Sequence, residues 1–185
     1  MLLFLSVALE GTPRMRILVY PSPDLRRPAE PVLRVDAQLR RLVRQMFVTM
    51  HDAAGVGLAA VQVGRSLQLF VLNLTGEREG ETVLINPRVL SREGEQVAEE
   101  GCLSLPGVTA KIRRPLELTV CGYDLQGNEV ELRCQELLAR AVAHEMDHLD
   151  GQLIIDRMGP AARLGNRPRL KELEESYRSS AASVS

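Results

Sequence analysis

The chain has 185 residues, 45% of them hydrophobic, and its 23 Lys and Arg nearly balance its 24 Asp and Glu. This length suits one buried core and is short for two, so we expect a single domain over residues 1–185. The balanced charge excludes a global field that would recruit nucleic acid or a membrane as a partner. Three cysteines, an odd number without disulfide-scaffold spacing, favour a reducing, cytoplasmic compartment.

Both ends are expected to lie outside the core. Residues 1–9 are apolar, but they lack the basic start and cleavage site of a signal peptide and are too short to span a bilayer. We therefore interpret residues 1–14 as an N-terminal extension, with Met15 as an alternative start. Residues 179–185 are predicted to form a frayed tail.

A first helix is predicted from Asp36 to Gly55. Asp36 is a favourable N-cap, and apolar residues recur at helical spacing from Leu39 to Met50. The next block, residues 55–60, resembles a dinucleotide-binding fingerprint in its letters, but it follows a helix, whereas that fingerprint opens one. We interpret this block either as a helix stop or as a place where a peptide backbone approaches closely.

Most of the following chain is predicted to be β-strand, because short apolar segments alternate with Gly and Pro at turn positions. The predicted strands are 68–74, 82–85, 89–91, 97–102, 116–123 and 129–134. The last two flank a turn at 124–128 and form a predicted hairpin. Cys121 and Cys134 lie in this hairpin and are expected to be structural.

A second long helix is predicted over residues 135–149, which contain no Gly or Pro and are followed by Gly151. Residues four apart share one face of a helix, so His144 and His148 can bind one cation with Glu145 beside them. Burying these groups on the apolar side of a helix costs free energy unless a partner compensates, which favours a metal site. Residues 168–178 are rich in helix formers.

The third metal ligand must come from elsewhere, because two histidines leave a catalytic metal one protein ligand short. One metalloprotease class places a further histidine downstream, but Ile154 occupies that position here. Glu172, Glu174 and Glu175 lie on a predicted solvated helix. A stronger candidate lies upstream, in the run from Glu99 to Gly107 that contains Cys102.

Three blocks, taken in chain order, resemble the peptide deformylase family. They are Gly-Val-Gly-Leu-Ala-Ala-Val-Gln at 55–62, Glu-Gly-Cys-Leu-Ser at 100–104 and His-Glu-Met-Asp-His at 144–148. The resemblance implies an α+β fold, with short, mostly antiparallel strands around a central metal-bearing helix and the first helix packed alongside. It also implies a metal-dependent hydrolase that removes the N-formyl group from the N-terminal formyl-methionine of newly synthesised polypeptides and releases formate.

The resemblance assigns roles to individual residues. Cys102, His144 and His148 would bind one divalent metal, natively Fe²⁺, with Zn²⁺, Ni²⁺ or Co²⁺ able to replace it, and water would take a fourth position. Glu145 would accept a proton from that water and return it to the leaving amine. The side-chain amide of Gln62 and the backbone N–H of Leu103 would stabilise negative charge on the formyl oxygen.

The resemblance and the helix spacing also predict a substrate-binding surface. Backbone groups would pair with the peptide as in a strand. Two side chains precede His144 on the metal-facing stripe and can line a methionine pocket. The substrate-binding residues are predicted to be Gly55, Val56, Gly57, Gly101, Leu137 and Ala141. Arg140 departs from an apolar residue found in some members and is expected to pair with Glu136 at i, i+4.

Two other functions fit part of the pattern. A metallopeptidase with the same pentapeptide would use a carboxylate or histidine as third ligand, so Cys102→Ser would leave its metal content unchanged. A structural zinc module would complete four protein ligands with Cys121 or Cys134. The sequence leaves open the oligomeric state and whether the C-terminal helix docks on the ribosome near the exit tunnel.

Overall fold

The computed structural model describes residues 13–182. The predicted N-terminal extension therefore lies outside the described residues, except for Pro13 and Arg14, and so do residues 183–185 of the predicted tail. Arg14 forms an ion pair with Asp52. None of the helices in the described part of the chain is long and apolar enough to cross a membrane.

Both predicted long helices are present. The α-helices of the described residues are α1 (Ala37–Asp52), α2 (Glu136–Leu149), α3 (Ile154–Arg157) and α4 (Pro160–Ala182). Short 3₁₀ turns cover Pro23–Arg26, Ala60–Val63 and Arg78–Gly80. The Asp36 carboxylate accepts hydrogen bonds from the N–H groups of Gln38 and Leu39 at 3.0 and 2.9 Å, which confirms the predicted N-cap of α1.

The C-terminal helix is longer than predicted. It contains Pro168 and continues to Ala182, so residues 179–182 of the predicted tail belong to the helix. Serine hydroxyls in this segment bond to carbonyls one turn earlier, Ser180 to Ser176 at 2.6 Å, and so remain compatible with a helix. Leu173 is buried and anchors α4 to the rest of the molecule.

The strands form two antiparallel sheets, which confirms the predicted α+β class. They are β1 (Gly57–Ala59), β2 (Leu69–Leu72), β3 (Thr82–Glu93), β4 (Gln96–Gly101), β5 (Thr109–Arg114), β6 (Glu117–Tyr123) and β7 (Glu129–Gln135). One sheet has the order β1-β2-β3-β6-β7, and the other pairs β4 with β5. The predicted hairpin is β6-β7, with Cys121 opposite Glu131.

The structure differs from the predicted strands at β1, β3 and β5. The short strand β1 lies in the glycine block, before the first predicted strand. The segments predicted at 82–85 and 89–91 form one strand, β3, because an irregularity between Ile85 and Arg88 accommodates Pro87. β5 was not predicted at all. Its inward positions are Ala110, Ile112 and Arg114, and the buried arginine disguises the alternation of apolar and polar residues.

The five-stranded sheet lies between α1 and α2. On β2, Phe70 and Leu72 face the cluster that includes Val142 of α2. Leu69 and Val71 face the opposite cluster, which contains apolar residues of α1. The helices therefore cover opposite faces of the sheet, and α1 does not pack directly alongside the helix that carries the histidines.

Candidate metal centre

The helix α2 presents three of the predicted site residues to one region. The rings of His144 and His148 have centroids 5.0 Å apart, as expected for residues one turn apart on the same face. Glu145 lies between them in sequence and is buried. The strand β1 packs against this part of α2.

Cys102 reaches the histidines from the turn that follows β4. This turn is closed by a 2.9 Å hydrogen bond from the Leu105 N–H to the Cys102 carbonyl. Cys102 Sγ lies 3.2 Å from His148 Nε2, and the ligand atoms of Cys102, His144 and His148 all lie within 4.8 Å of one another. Sulfur and nitrogen ligands of one tetrahedral zinc lie roughly 3.6 Å apart, so these separations suit a single cation.

The chemistry of the three side chains also fits a metal. One thiol and two imidazoles suit a borderline-soft divalent cation. Burial lowers the pKa of His148 well below its usual value, which favours the neutral ring that binds a cation. Burial also opposes protonation of His144, but its hydrogen bonds with Cys102 and Glu100 raise its pKa to about 10, so metal binding there must displace a proton.

The other two cysteines do not join this cluster. Within residues 13–182, Cys102, His144 and His148 form the only group of His, Cys, Asp or Glu side chains suited to holding a metal. Cys121 and Cys134 are buried in the β6-β7 hairpin and form no disulfide. Burial raises the pKa of Cys134 to about 11, which keeps it a thiol. The geometry therefore does not support a structural zinc module.

Glu145 has the environment of a proton acceptor. Burial raises its pKa to about 7, against the lowering effect of His144 and Arg114. Its Oε2 is buried and has no hydrogen-bond partner among the described residues. Gly57 leaves room for this carboxylate, because a Cβ there would lie 2.9 Å from Glu145 Cδ and closer still to Oε1.

Gln62 is held in one orientation. It is buried in the 3₁₀ turn after β1, and its Oε1 accepts a 2.8 Å hydrogen bond from the Ala59 N–H. Its Nε2 therefore points towards Ser104 Oγ, at 3.1 Å, and Cys102 Sγ, at 3.7 Å. The amide donor lies beside the metal-ligand cluster, and Leu103 follows Cys102 directly in the chain.

A cavity of about 380 Å³ opens beside this cluster. Every predicted site residue except His148 lines it. These residues are Gly55, Val56, Gly57, Gln62, Gly101, Cys102, Leu103, Leu137, Ala141, His144 and Glu145. Leu137 is 48% exposed and lies at the mouth. In the described part of the chain β4 pairs only with β5, so its other edge has no strand partner.

Arg140 does not pair with Glu136, so that expectation is wrong. Its Nη2 donates a 2.7 Å hydrogen bond to the Glu99 carbonyl, and its Nε lies 3.8 Å from Glu100 Oε1. The strand β4 lies close to α2 and supplies these partners, which the i, i+4 spacing within the helix cannot predict. Arg140 thereby occupies the β4 edge two residues before Gly101.

Sequence reasoning missed the charged residues that support the histidines. Glu100 Oε2 lies 3.2 Å from His144 Nδ1, and the Arg114 guanidinium contacts both Glu100 and Asp147. Burial would raise the pKa of Glu100, but hydrogen bonds from His144 and Arg114 outweigh it and lower the pKa to about 2. Glu100 and Asp147 lie inside matched blocks and could have been found there, whereas Arg114 stands in no motif.

Three clustered ligand side chains, a buried acid and an open cavity define the class of a metal-dependent hydrolase. Comparison with known proteins identifies the family. The sequence model described as Polypeptide deformylase matches residues 14–163. Among curated relatives, the peptide deformylase of Nitrosococcus oceani is 45% identical over 142 residues, or 77% of this chain and 85% of that protein. The peptide deformylase of Syntrophobacter fumaroxidans is 45% identical over 162 residues, or 86% and 95% of the two chains.

Solved structures agree with these relatives. A peptide deformylase from Plasmodium falciparum superposes with a TM-score of 0.86 at 36% identity, covering 89% of this chain and 98% of that one. A peptide deformylase from Legionella pneumophila gives a TM-score of 0.84 at 38% identity, covering 90% and 98%. The chain therefore belongs to the polypeptide deformylase family, and the resemblance of its three blocks is confirmed. It is an enzyme of that family, a metal-dependent hydrolase that removes the N-formyl group from newly made polypeptides.

Proposed function

We propose that Cys102, His144 and His148 hold one divalent metal and that deformylation takes place beside it. The observation that carries this proposal is the approach of the three ligand atoms to within 4.8 Å of one another, at the wall of an open cavity. When bound, the metal supplies Lewis-acid chemistry, which acidifies water and polarises a carbonyl. Fe²⁺ is the proposed native ion, and Zn²⁺, Ni²⁺ or Co²⁺ also suit one thiolate and two imidazoles.

Glu145 transfers the proton. A carboxyl group with a pKa of about 7 exchanges protons readily at neutral pH, and Glu145 owes this value to burial. It accepts a proton from the attacking water as the water oxygen bonds to the formyl carbon. It then delivers that proton to the amide nitrogen as the C–N bond breaks, so the products are formate and a peptide with a free amine.

Gln62 and Leu103 stabilise the negative charge that develops on the formyl oxygen. The Gln62 amide is already oriented by the Ala59 N–H, so no reorganisation is needed when the charge appears. Leu103 contributes its backbone N–H. Each such donor is worth about 3 kcal/mol of transition-state stabilisation.

The formyl-methionine peptide binds along the edge of β4 that has no strand partner, beyond the Glu99 carbonyl to which Arg140 is bonded. Gly101 and Val56 pair with its backbone, and Gly55 and Gly57 leave space for its approach. Val56 would pair through its N–H, because its carbonyl already accepts a 2.9 Å hydrogen bond from Asn73. Leu137 and Ala141 line the pocket for the methionine side chain, as their positions on the cavity wall support.

The setting of this reaction is the cytoplasm, at the site of protein synthesis, and a ribosome near its exit tunnel is the second partner in this proposal. The support is the charged outer surface of α4, where Lys171 lies 3.7 Å from Glu175 and Arg169 Nη1 lies 2.8 Å from Glu172, while Arg169 Nε donates a hydrogen bond to the Pro106 carbonyl. Cosedimentation of the protein with empty ribosomes tests it, and a chain that ends before Pro160 should cosediment less.

The ligand set is tested by metal analysis of anaerobically purified protein, coupled to formate release from formyl-Met-Ala. The wild type should contain one equivalent of metal and release formate. Cys102→Ser should lose both, because the remaining imidazoles leave the cation short of a protein ligand. Unchanged metal content in this variant would favour a metallopeptidase site with a different third ligand.

A further inference from the structure

A chain of charged side chains leads from His144 to the protein surface. Glu100 Oε2 lies 3.2 Å from His144 Nδ1, and Arg114 donates to both oxygens of Glu100 at 3.0 Å. Arg114 Nη1 also donates to Asp147 Oδ2 at 2.6 Å, and Asp147 Oδ1 accepts a 2.6 Å hydrogen bond from Arg157 Nη2. Arg157, with 45% of its side chain exposed, is the most exposed member of this chain and lies at its outer end.

Arg114 joins the two parts of the structure that supply the metal ligands. Glu100 lies in β4, two residues before Cys102, whereas Asp147 lies in α2 beside His148. A single guanidinium, itself only 4% exposed, bonds to both carboxylates. The distance between the Cys102 turn and the histidine helix is therefore fixed by ion pairs that need no metal.

We propose that Arg114 and Glu100 are positioning residues that preorganise the metal site. The two parallel bonds from Arg114 fix the plane of the Glu100 carboxylate, so that Oε2 faces His144 Nδ1. The hydrogen bond to Nδ1 selects the tautomer and leaves His144 Nε2 for the cation. This inference rests on the proposed ligand set.

The shape of the guanidinium is essential to this role. A lysine at position 114 keeps the charge but offers one compact donor centre, so it cannot hold Glu100 through two parallel bonds and reach Asp147 as well. Glu100→Gln keeps the side-chain volume and removes the charge that orients His144. Both variants retain the three proposed ligands Cys102, His144 and His148, but these side chains should be less well oriented.

The strand β5 offers a matched control. Arg113 is the neighbour of Arg114, but it is 68% exposed and pairs with Glu95 at 2.6 Å on the outer face. Arg113→Lys therefore makes the same chemical change on the same strand, away from the histidines. We expect its metal-release rate to equal that of the wild type.

The experiment measures metal release from the loaded full-length proteins into excess chelator, followed with a colorimetric metal indicator. Glu100→Gln and Arg114→Lys should release metal about 10- to 100-fold faster than the wild type, the usual loss for a residue that supports a metal ligand. The absorption spectrum of the cobalt-loaded form should also shift in both variants, because ligand orientation changes. The double variant should be less affected than the product of the two single effects.

A purely structural role predicts a different result. It would lower the melting temperature of the metal-free protein and leave the release rate and cobalt spectrum of the folded variants equal to those of Arg113→Lys, which would overturn the proposal. If Arg114→Lys does not fold, the isosteric Glu100→Gln decides by the same criterion. Failure of the ligand set itself is recognised separately, by a wild type without stoichiometric metal or a Cys102→Ser variant that retains it.

Discussion

Gly57→Ala should slow the reaction by displacing Glu145. A Cβ at this position would lie 2.9 Å from Glu145 Cδ and 3.0 Å from a methyl carbon of Leu72. Normal carbon contacts are about 3.5 to 4.0 Å, so the carboxylate must move by roughly 0.6 to 1 Å. A misplacement of about 1 Å costs on the order of 100-fold in rate. Overpacking should also cost about 1 to 3 kcal/mol of stability.

The assay is steady-state formate release, with metal content and melting temperature measured on the same samples. We expect kcat to fall and metal content to stay at one equivalent, because the atoms nearest to a Cβ at Gly57 belong to Glu145 and Leu72 and not to a metal ligand. Gly165→Ala is the control, since a Cβ at Gly165 meets nothing within 4 Å. A Gly57→Ala enzyme with the wild-type kcat would refute the requirement for a precisely placed Glu145. A change in KM alone would mean that Gly57 acts only through peptide binding and not through the placement of Glu145.

Three further outcomes follow from the structure. Gln62→Leu should raise the activation free energy by about 3 kcal/mol, which lowers kcat on the order of 100-fold, while metal content stays unchanged. An unchanged kcat would show that the Gln62 amide does not stabilise the charge on the formyl oxygen. Cys134 should resist alkylation at pH 8 in the folded protein, because burial raises its pKa to about 11, and mass spectrometry of the native and unfolded chain checks this. Burial raises the pKa of Asp156, but hydrogen bonds from Arg26 and the Leu153 N–H outweigh it, so the pKa is lowered. The stabilisation by Asp156 is therefore fully present above the pKa of this group in the unfolded chain and is lost as the pH falls through its pKa in the folded protein. Over that pH range, the difference in melting temperature between the wild type and Asp156→Asn should shrink.

The helices were predictable because their signals are local. Asp36 caps α1 through its own side chain, and the apolar spacing of α1 and α2 reports the face that each helix buries. The pair His144 and His148 follows from the same periodicity. These features depend on residues within a few turns of one another, so one sequence is enough to reveal them.

The features that the sequence alone did not predict depend on contacts between residues far apart in the chain. Cys102 and His148 are 46 residues apart, and only the resemblance to a family, not spacing, suggested that they meet. β5 escaped prediction because Arg114 occupies an inward position, where its partners Glu100 and Asp147 come from other elements. Arg140 bonds to the Glu99 carbonyl of β4 and not to Glu136 for the same reason. Its partner comes from another element of the fold, which helical spacing does not reveal.

Glu145→Gln gives the most direct test of the central claim, that a cation held by Cys102 and the two histidines works with a buried carboxylate that moves the proton. The substitution keeps the volume of the side chain and removes its capacity to accept a proton. Metal content and formate release should be measured on the same anaerobic preparation. We predict one equivalent of metal and no detectable release of formate from formyl-Met-Ala. Full turnover by this variant would contradict the account.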